Sequence, residues 1–194
     1  GRVVQLIKEQ GTTSLISVGI QAATETNPGS SVDGNNFGVK RYLTGSVAND
    51  TSGLITPALM RVAYNGDALM VVSVGNTITD YRLWCGFTNV DLNAVATPTT
   101  EHVAAFSYDT VRDGTVFWRT VTSNGSSATV TASSIAIVAA TFYILRIVTT
   151  ASSVLFYING VLANTHTTTL PNTGINLTLQ ACVTTLTTAT RRFE

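Results

Sequence analysis

Hydrolysis of a sugar polymer needs two carboxylates flanking the bond, roughly 5 to 5.5 Å apart when one of them attacks directly. On a strand that requires Asp or Glu at alternate or near-alternate positions, because successive side chains point to opposite faces. Glu9, Glu25, Glu101 and Glu194 are scattered, and none has a second carboxylate two or three residues away. Glu101 adjoins His102, so a strand would point the two apart. His102 and His166 have no Cys or carboxylate at metal-ligand spacing. No glycine-rich phosphate loop opens a helix. The expectation is a chain that is not an enzyme.

Binding chemistry is better represented. A calcium ion takes about six to eight converging oxygens. Asp80, Asn89, Asp91 and Asn93, with Asp109 and Asp113 on a neighbouring loop, are the oxygens on offer, although their spacing matches no fixed calcium loop. Asx side chains in loops also close turns on their own backbone, which is the competing use. Trp84 and Trp118 are the candidate platforms for a sugar ring, yet both fall in alternating patterns where an aromatic ring usually belongs to the core. The expected glycan contacts are Trp118, Asp109, Asp113 and Asn93. Calcium is the one cofactor these oxygens suggest, and otherwise none is expected. Asn49, Asn124 and Asn176 each open an N-glycosylation acceptor pattern.

Strands must position these residues. The clearest pair is Val154-Leu-Phe-Tyr-Ile-Asn-Gly-Val-Leu-Ala-Asn-Thr-His-Thr167, closed at Asn159-Gly160 by two residues that tolerate the positive φ angles of a type I′ turn. A two-residue loop places Val154, Phe156, Ile158, Val161 and Ala163 on one face, and Leu155, Tyr157, Leu162 and Asn164 on the other. Residues 79–87 alternate, with Tyr81, Leu83, Cys85 and Phe87 on one face and Arg82 and Trp84 on the other. Further strands are expected at 37–43, 59–64, 68–74, 101–108, 115–122, 128–133, 142–149, 175–183 and from 190 onward. Asn65-Gly66-Asp67 reads as a hairpin turn, and residues 44–56 and 89–100 read as polar loops. About a dozen short strands with no room for helix predict an antiparallel all-β fold, a two-sheet jelly-roll sandwich. No repeat of fixed period argues for a propeller or solenoid.

Composition narrows the partners. The 194 residues are 44% hydrophobic and only 11% charged, and 11 basic residues balance 11 acidic ones. A neutral chain has no field with which to hold a phosphate backbone, so nucleic acid is not expected. No run of about 18 apolar residues spans a membrane as a helix. Near-zero net charge also removes the repulsion that keeps copies apart, a hint of self-assembly. Cys85 and Cys182 lie in apolar runs, as two buried thiols or as one inter-strand disulfide. The chain begins at Gly1 without a signal-like segment, as expected of a processed chain or of part of a longer one.

Residues 1–36 are more weakly patterned than residues 37–194, which form the expected sandwich. Strands at 2–7 and 15–20 precede a turn-rich loop at 24–36. This segment reads as an arm or edge strands contacting a neighbouring subunit through Val3, Val4, Leu6, Ile7, Leu15 and Ile16, or as ordinary strands of the same sheet.

The run Phe142-Tyr-Ile-Leu-Arg-Ile-Val148, followed by the 154–163 hairpin and Leu170-Pro171, resembles the second half of concanavalin A-like jelly rolls of the laminin-G type. Tyr81-Arg-Leu-Trp-Cys-Gly-Phe-Thr88, Ala104-Ala-Phe-Ser-Tyr108 and Phe117-Trp-Arg-Thr120 resemble the version found in virion structural proteins of tailed bacteriophages. The resemblance covers residues 57–194. It implies a sandwich that closes with one more apolar strand after Phe193-Glu194. It also implies a structural subunit of a virion or an extracellular filament, joined to its own copies or to other structural subunits. The other reading that it leaves open is a carbohydrate-binding module for a surface glycan, and glycosidases share the fold.

Overall fold

The computed structural model describes residues 3–5, 16–17, 42–55, 60–61, 66–93, 95–114 and 117–193. The described residues are all-β, without helix. One five-stranded sheet is ordered β1 (Val3–Gln5), β6 (Asp67–Ser73), β11 (Phe142–Thr149), β12 (Val154–Ile158), β13 (Val161–His166). The larger sheet is ordered β10 (Ala128–Ala136), β9 (Phe117–Asn124), β8 (His102–Asp109), β7 (Tyr81–Thr88), β14 (Asn176–Thr185), β4 (Thr51–Ile55), β2 (Ile16–Ser17). β5 (Met60–Arg61) also pairs with β14, and β3 (Tyr42–Leu43) pairs with β15 (Arg192–Phe193). All pairs are antiparallel except β1 on β6.

The alternation of β7 comes out as expected, with a consequence for both faces. Tyr81, Leu83, Cys85 and Phe87 enter the core between the sheets, where Phe106 meets Trp118 and Phe156 edge-on, and Trp118 meets Tyr143. Trp84 points outward, but not to water. It packs with Leu92, Val103, Ala105, Val121 and Cys182 in a second apolar cluster that the 89–100 loop covers. The large sheet is therefore buried on both faces here, which is why β7 contains no exposed position.

Several expectations are corrected. The described strands on either side of Asn65-Gly66-Asp67 are not paired with each other as a hairpin would require: β5 pairs with β14 of the large sheet and β6 belongs to the five-stranded one. Residues 51–55, expected in a polar loop, form β4. Gly53 stands in that strand because the backbone of β14 comes too near for a side chain. A Cβ there would lie 2.4 Å from the Ala181 carbonyl oxygen. The 154–166 hairpin has its turn, with φ of 52° at Asn159 and 81° at Gly160. Its faces differ from expectation, because the register slips between Phe156 and Tyr157 and pairs Phe156 with Asn164. This bulge carries Asn164 to the inner side, where its amide donates to Thr120 Oγ1 (2.9 Å) and to the Ala132 carbonyl (3.3 Å). The contacts tie the edge strand β13 to the edge strand β10 and close one side of the sandwich. Val161, expected to share a face with Phe156 and Ile158, is exposed whereas those two are buried.

The two described pieces of residues 1–36 each join a sheet of the same chain. Val3 and Val4 lie in β1 against β6, and Ile16 lies in β2 against β4, which is the arrangement of ordinary strands. Leu6, Ile7 and Leu15 lie outside the described residues, as does most of the expected strand at 37–43.

Candidate functional site

At one end of the large sheet, β7 begins and β8 ends, and the turn after β8 is built by a buried carboxylate. Asp109 is inaccessible to solvent; its Oδ2 accepts from Arg82 Nε at 2.5 Å, and its Oδ1 accepts from the amides of Val111 and Arg112, both at 2.9 Å. The turn ends at Gly114, which takes a φ of 54° with open space around it. Opposite this turn, Asp80 adopts a φ of 49°, a left-handed conformation that Asp tolerates better than most residues. Its carbonyl accepts from the Leu186 amide at 2.9 Å, and its carboxylate lies 3.6 Å from Arg191 Nη2. Arg191 is itself anchored by donating to the Thr79 carbonyl at 2.8 Å. Reciprocal bonds between Tyr81 and Thr110 hold the two loops together, and the Tyr108 hydroxyl donates to the Ile78 carbonyl at 3.2 Å. Burial, and next the Asp113 carboxylate, raise the Tyr108 pKa, so that hydroxyl stays a donor at neutral pH.

Between these loops lies an open groove of about 400 Å³, lined by Ile78, Thr79, Asp80, Tyr108, Thr110, Val111 and Gly114. Its walls are mainly apolar, Val111 stands 71% exposed at the rim, and the Asp80 side chain is 54% exposed. Such a site can take an apolar ring face on its walls and a hydroxyl donor on its carboxylate.

No protein-family model matches the sequence, and no curated protein matches it. Solved structures do match. The Emp46p carbohydrate recognition domain in its potassium-bound form aligns with a TM-score of 0.58 at 4% identity, over 79% of each chain. A protein of unknown function from Shewanella oneidensis MR-1 aligns at 0.56 and 13% identity, over 91% of this chain and 71% of that one. A Bacillus licheniformis beta-glucanase aligns at 0.51 and 14% identity, over 79% of this chain and 73% of that one. The fold is the concanavalin A-like jelly roll. At these identities the likeness extends to the fold alone, and it carries no sign of the virion setting that the sequence resemblance implied.

In this jelly roll the four expected glycan contacts do not form a surface site. Trp118 is fully buried in the core. Asp109 is spent on Arg82 and on its turn. Asn93, 2% exposed, donates to Asp91 Oδ2 at 2.8 Å and helps tether the covering loop, while Gln180 bonds Asp91 and the Leu92 amide from β14. Asp113 is engaged by Arg112, whose guanidinium lies over the Trp84 ring and donates to the Ala96 carbonyl. The six oxygens considered for calcium do not converge either. Asn89 accepts from the His102 amide at 2.7 Å, and Asp91, Asn93, Asp109 and Asp113 are engaged as described, which leaves Asp80 as the accessible member of the set. Among the described residues no three His, Cys, Asp or Glu side chains could hold a metal.

The histidines are apart. His102 accepts from the Asn172 amide at 3.3 Å, whereas His166 is buried between Thr120 (3.0 Å) and Thr122 (2.8 Å) with its ring against Phe156. Cys85 and Cys182 are both free and buried, on opposite faces of neighbouring strands. Asp80 was named in the sequence only as a calcium oxygen. A polar Asp before an alternating strand gave no sign that its backbone would be left-handed and its carboxylate would face a groove.

Proposed function

We propose that this jelly roll is a non-catalytic carbohydrate-binding module that holds its ligand in the groove between residues 78–80 and the turn after β8. The observation that carries this reading is the groove itself, where one accessible carboxylate stands beside apolar walls on two loops locked together by hydrogen bonds. Sugar rings present an apolar face of C–H groups and an edge of hydroxyls. Ile78 and Val111 suit the face, and the Asp80 carboxylate accepts from the edge, with Arg191 fixing its orientation. The likeness to a carbohydrate recognition domain supports sugar binding, while the likeness to a beta-glucanase, which shares the fold, does not separate binding from catalysis. The outer face of the large sheet is filled where Trp84 and Leu92 sit under a tethered loop, so the groove between the loops is the site that carries the reading. Lectin-like recognition of a surface glycan would place the protein outside the cell or on a virion.

A glycan array, followed by calorimetry on any hit, tests the proposal. Asp80→Asn keeps the left-handed backbone accessible and removes the charge, so loss of one charge-assisted bond should weaken binding about tenfold or more. An array silent across neutral and acidic glycans, or a variant that binds as well as the native chain, would refute it.

A further inference from the structure

We propose, resting on the carbohydrate-binding reading of the groove, that this groove prefers a sugar bearing a free ammonium group, holds neutral sugars more weakly and rejects acidic ones. Asp80 sets that order. Among the described lining residues Asp80 alone carries a charge, and its side chain is 54% exposed. Arg191 stands 3.6 Å away, beyond hydrogen-bond distance, so it offsets part of that charge and leaves the carboxylate oxygens open as acceptors.

The rest of the groove accepts more than it donates. A turn whose successive backbone amides point one way is a common anion site. The turn after β8 has such amides, but Asp109 already occupies them: its Oδ1 accepts from Val111 and Arg112, and its carbonyl accepts from the Asp113 amide at 3.0 Å. The Thr110 amide donates to the Tyr81 carbonyl at 3.1 Å, and Tyr108 gives its hydroxyl proton to the Ile78 carbonyl, which leaves the phenol oxygen as an acceptor. The side-chain donors that remain among the described lining residues, the hydroxyls of Thr79 and Thr110, are neutral.

The arginines of these elements are committed as well. Arg82 is buried against Asp109, and Arg112 and Arg119 pair with Asp113. Arg191, 8% exposed, donates through Nε to the Thr79 carbonyl and through Nη1 to the Thr190 carbonyl, and Arg192 donates to Asn76. A carboxylate or sulfate on a sugar would therefore enter beside Asp80 with no cation to receive it. An ammonium brings three donors and the opposite charge to a site short of donors. Because Asp80 is half in water, the advantage is modest, about fivefold.

Calorimetry of the full chain with tetrasaccharides of glucosamine, N-acetylglucosamine and glucuronic acid, at about pH 6.5 where an amine carries its proton, tests this. The glucosamine form should bind about fivefold more tightly than the N-acetylated one, with the glucuronic acid form weakest. That advantage should disappear as salt rises from about 0.02 to 0.5 M, because an exposed charge pair is screened. Asp80→Asn should abolish it, whereas Glu101→Gln, which removes a carboxylate just before the opposite end of β8, should retain it. Equal binding of the glucosamine and N-acetylated forms, tightest binding of the glucuronic acid form, or an Asp80→Asn variant that keeps the advantage would each overturn the inference while carbohydrate binding stands. Binding of none of the three, together with a silent array, would refute the carbohydrate-binding reading and the inference with it.

Discussion

Replacing Asp109 tests whether this residue is structural, as its burial dictates, or a ligand contact on a loop. Asp109→Asn keeps an Oδ1 acceptor for the Val111 and Arg112 amides and removes the charge that faces Arg82. Arg82 is only 8% exposed, so the change leaves a guanidinium with little water and no counter-charge. Breaking one half of a buried pair typically costs about 3–5 kcal/mol. The upper half of that range belongs to Asp109→Ala, which also strips the turn of its acceptor. Because that turn is open to water, which can replace the lost bonds, the extra cost is about 1 kcal/mol. For a chain of this size, about 3 kcal/mol corresponds to a fall of roughly 6–12 °C in melting temperature. Replacing both partners, Arg82→Met with Asp109→Leu, should recover most of the loss, since an apolar pair of similar volume carries no desolvation debt. Urea titration of the native chain, Arg82→Met, Asp109→Leu and the double variant gives the double-mutant cycle. Asp109→Asn as stable as the native chain, or a double variant no better than the sum of the singles, would refute the reasoning.

Burial lowers the His166 pKa below its ordinary 6.5, and the groups facing it, Thr120, Thr122 and Phe156, carry no charge. The unfolded chain therefore binds a proton that the folded chain resists. The His166 contribution is fully present above about pH 6.5 and is lost as pH falls toward the folded pKa, with a slope of at most about 1.4 kcal/mol per pH unit. Comparing native and His166→Gln stabilities from pH 8 to 5 should show a difference that changes only in that acid range, and a constant difference would contradict the assignment. Gly53→Ala should cost about 2 kcal/mol or more in chemical denaturation, because its Cβ meets the Ala181 carbonyl oxygen at 2.4 Å and Cys182 Cα at 2.6 Å. Burial pushes both thiols up, so Cys85 and Cys182 should react with a thiol reagent only after denaturant is added, and prompt labelling of the native chain would count against their placement.

The hairpins that the sequence marked most plainly were the ones whose geometry is local. Asn159-Gly160 supplies the positive φ that a tight reversal needs and closes β12 on β13; in the structure Gly125 and Gly114 do the same between β9 and β10 and between β8 and β9. Asn65-Gly66 carries the same signal, but the strands on either side of it, β5 and β6, are not paired with each other, because β6 pairs with β1 and with the distant β11. The polar Thr51-Ser-Gly-Leu-Ile55 looked like a loop and is a strand, since its pairing comes from β14, distant in the sequence. The candidate site suffered from the same cause. Asp109 and Asp113 share the turn foreseen for them, but whether a loop carboxylate meets solvent or an arginine depends on where Arg82 and Arg112 lie.

What the sequence determined alone was therefore the strand periodicity, the local turns and the all-β jelly-roll class. These follow from side-chain alternation and backbone φ, which depend on adjacent residues. Tertiary structure decided which sheet each strand joined, that the outer face of the large sheet would be buried under the 89–100 loop, that Trp118 would enter the core and that Asp109 would be buried against Arg82. It also left Asp80 in a groove. Those outcomes depend on pairings between distant segments, and a pattern of period two is the same whichever partner lies beside it.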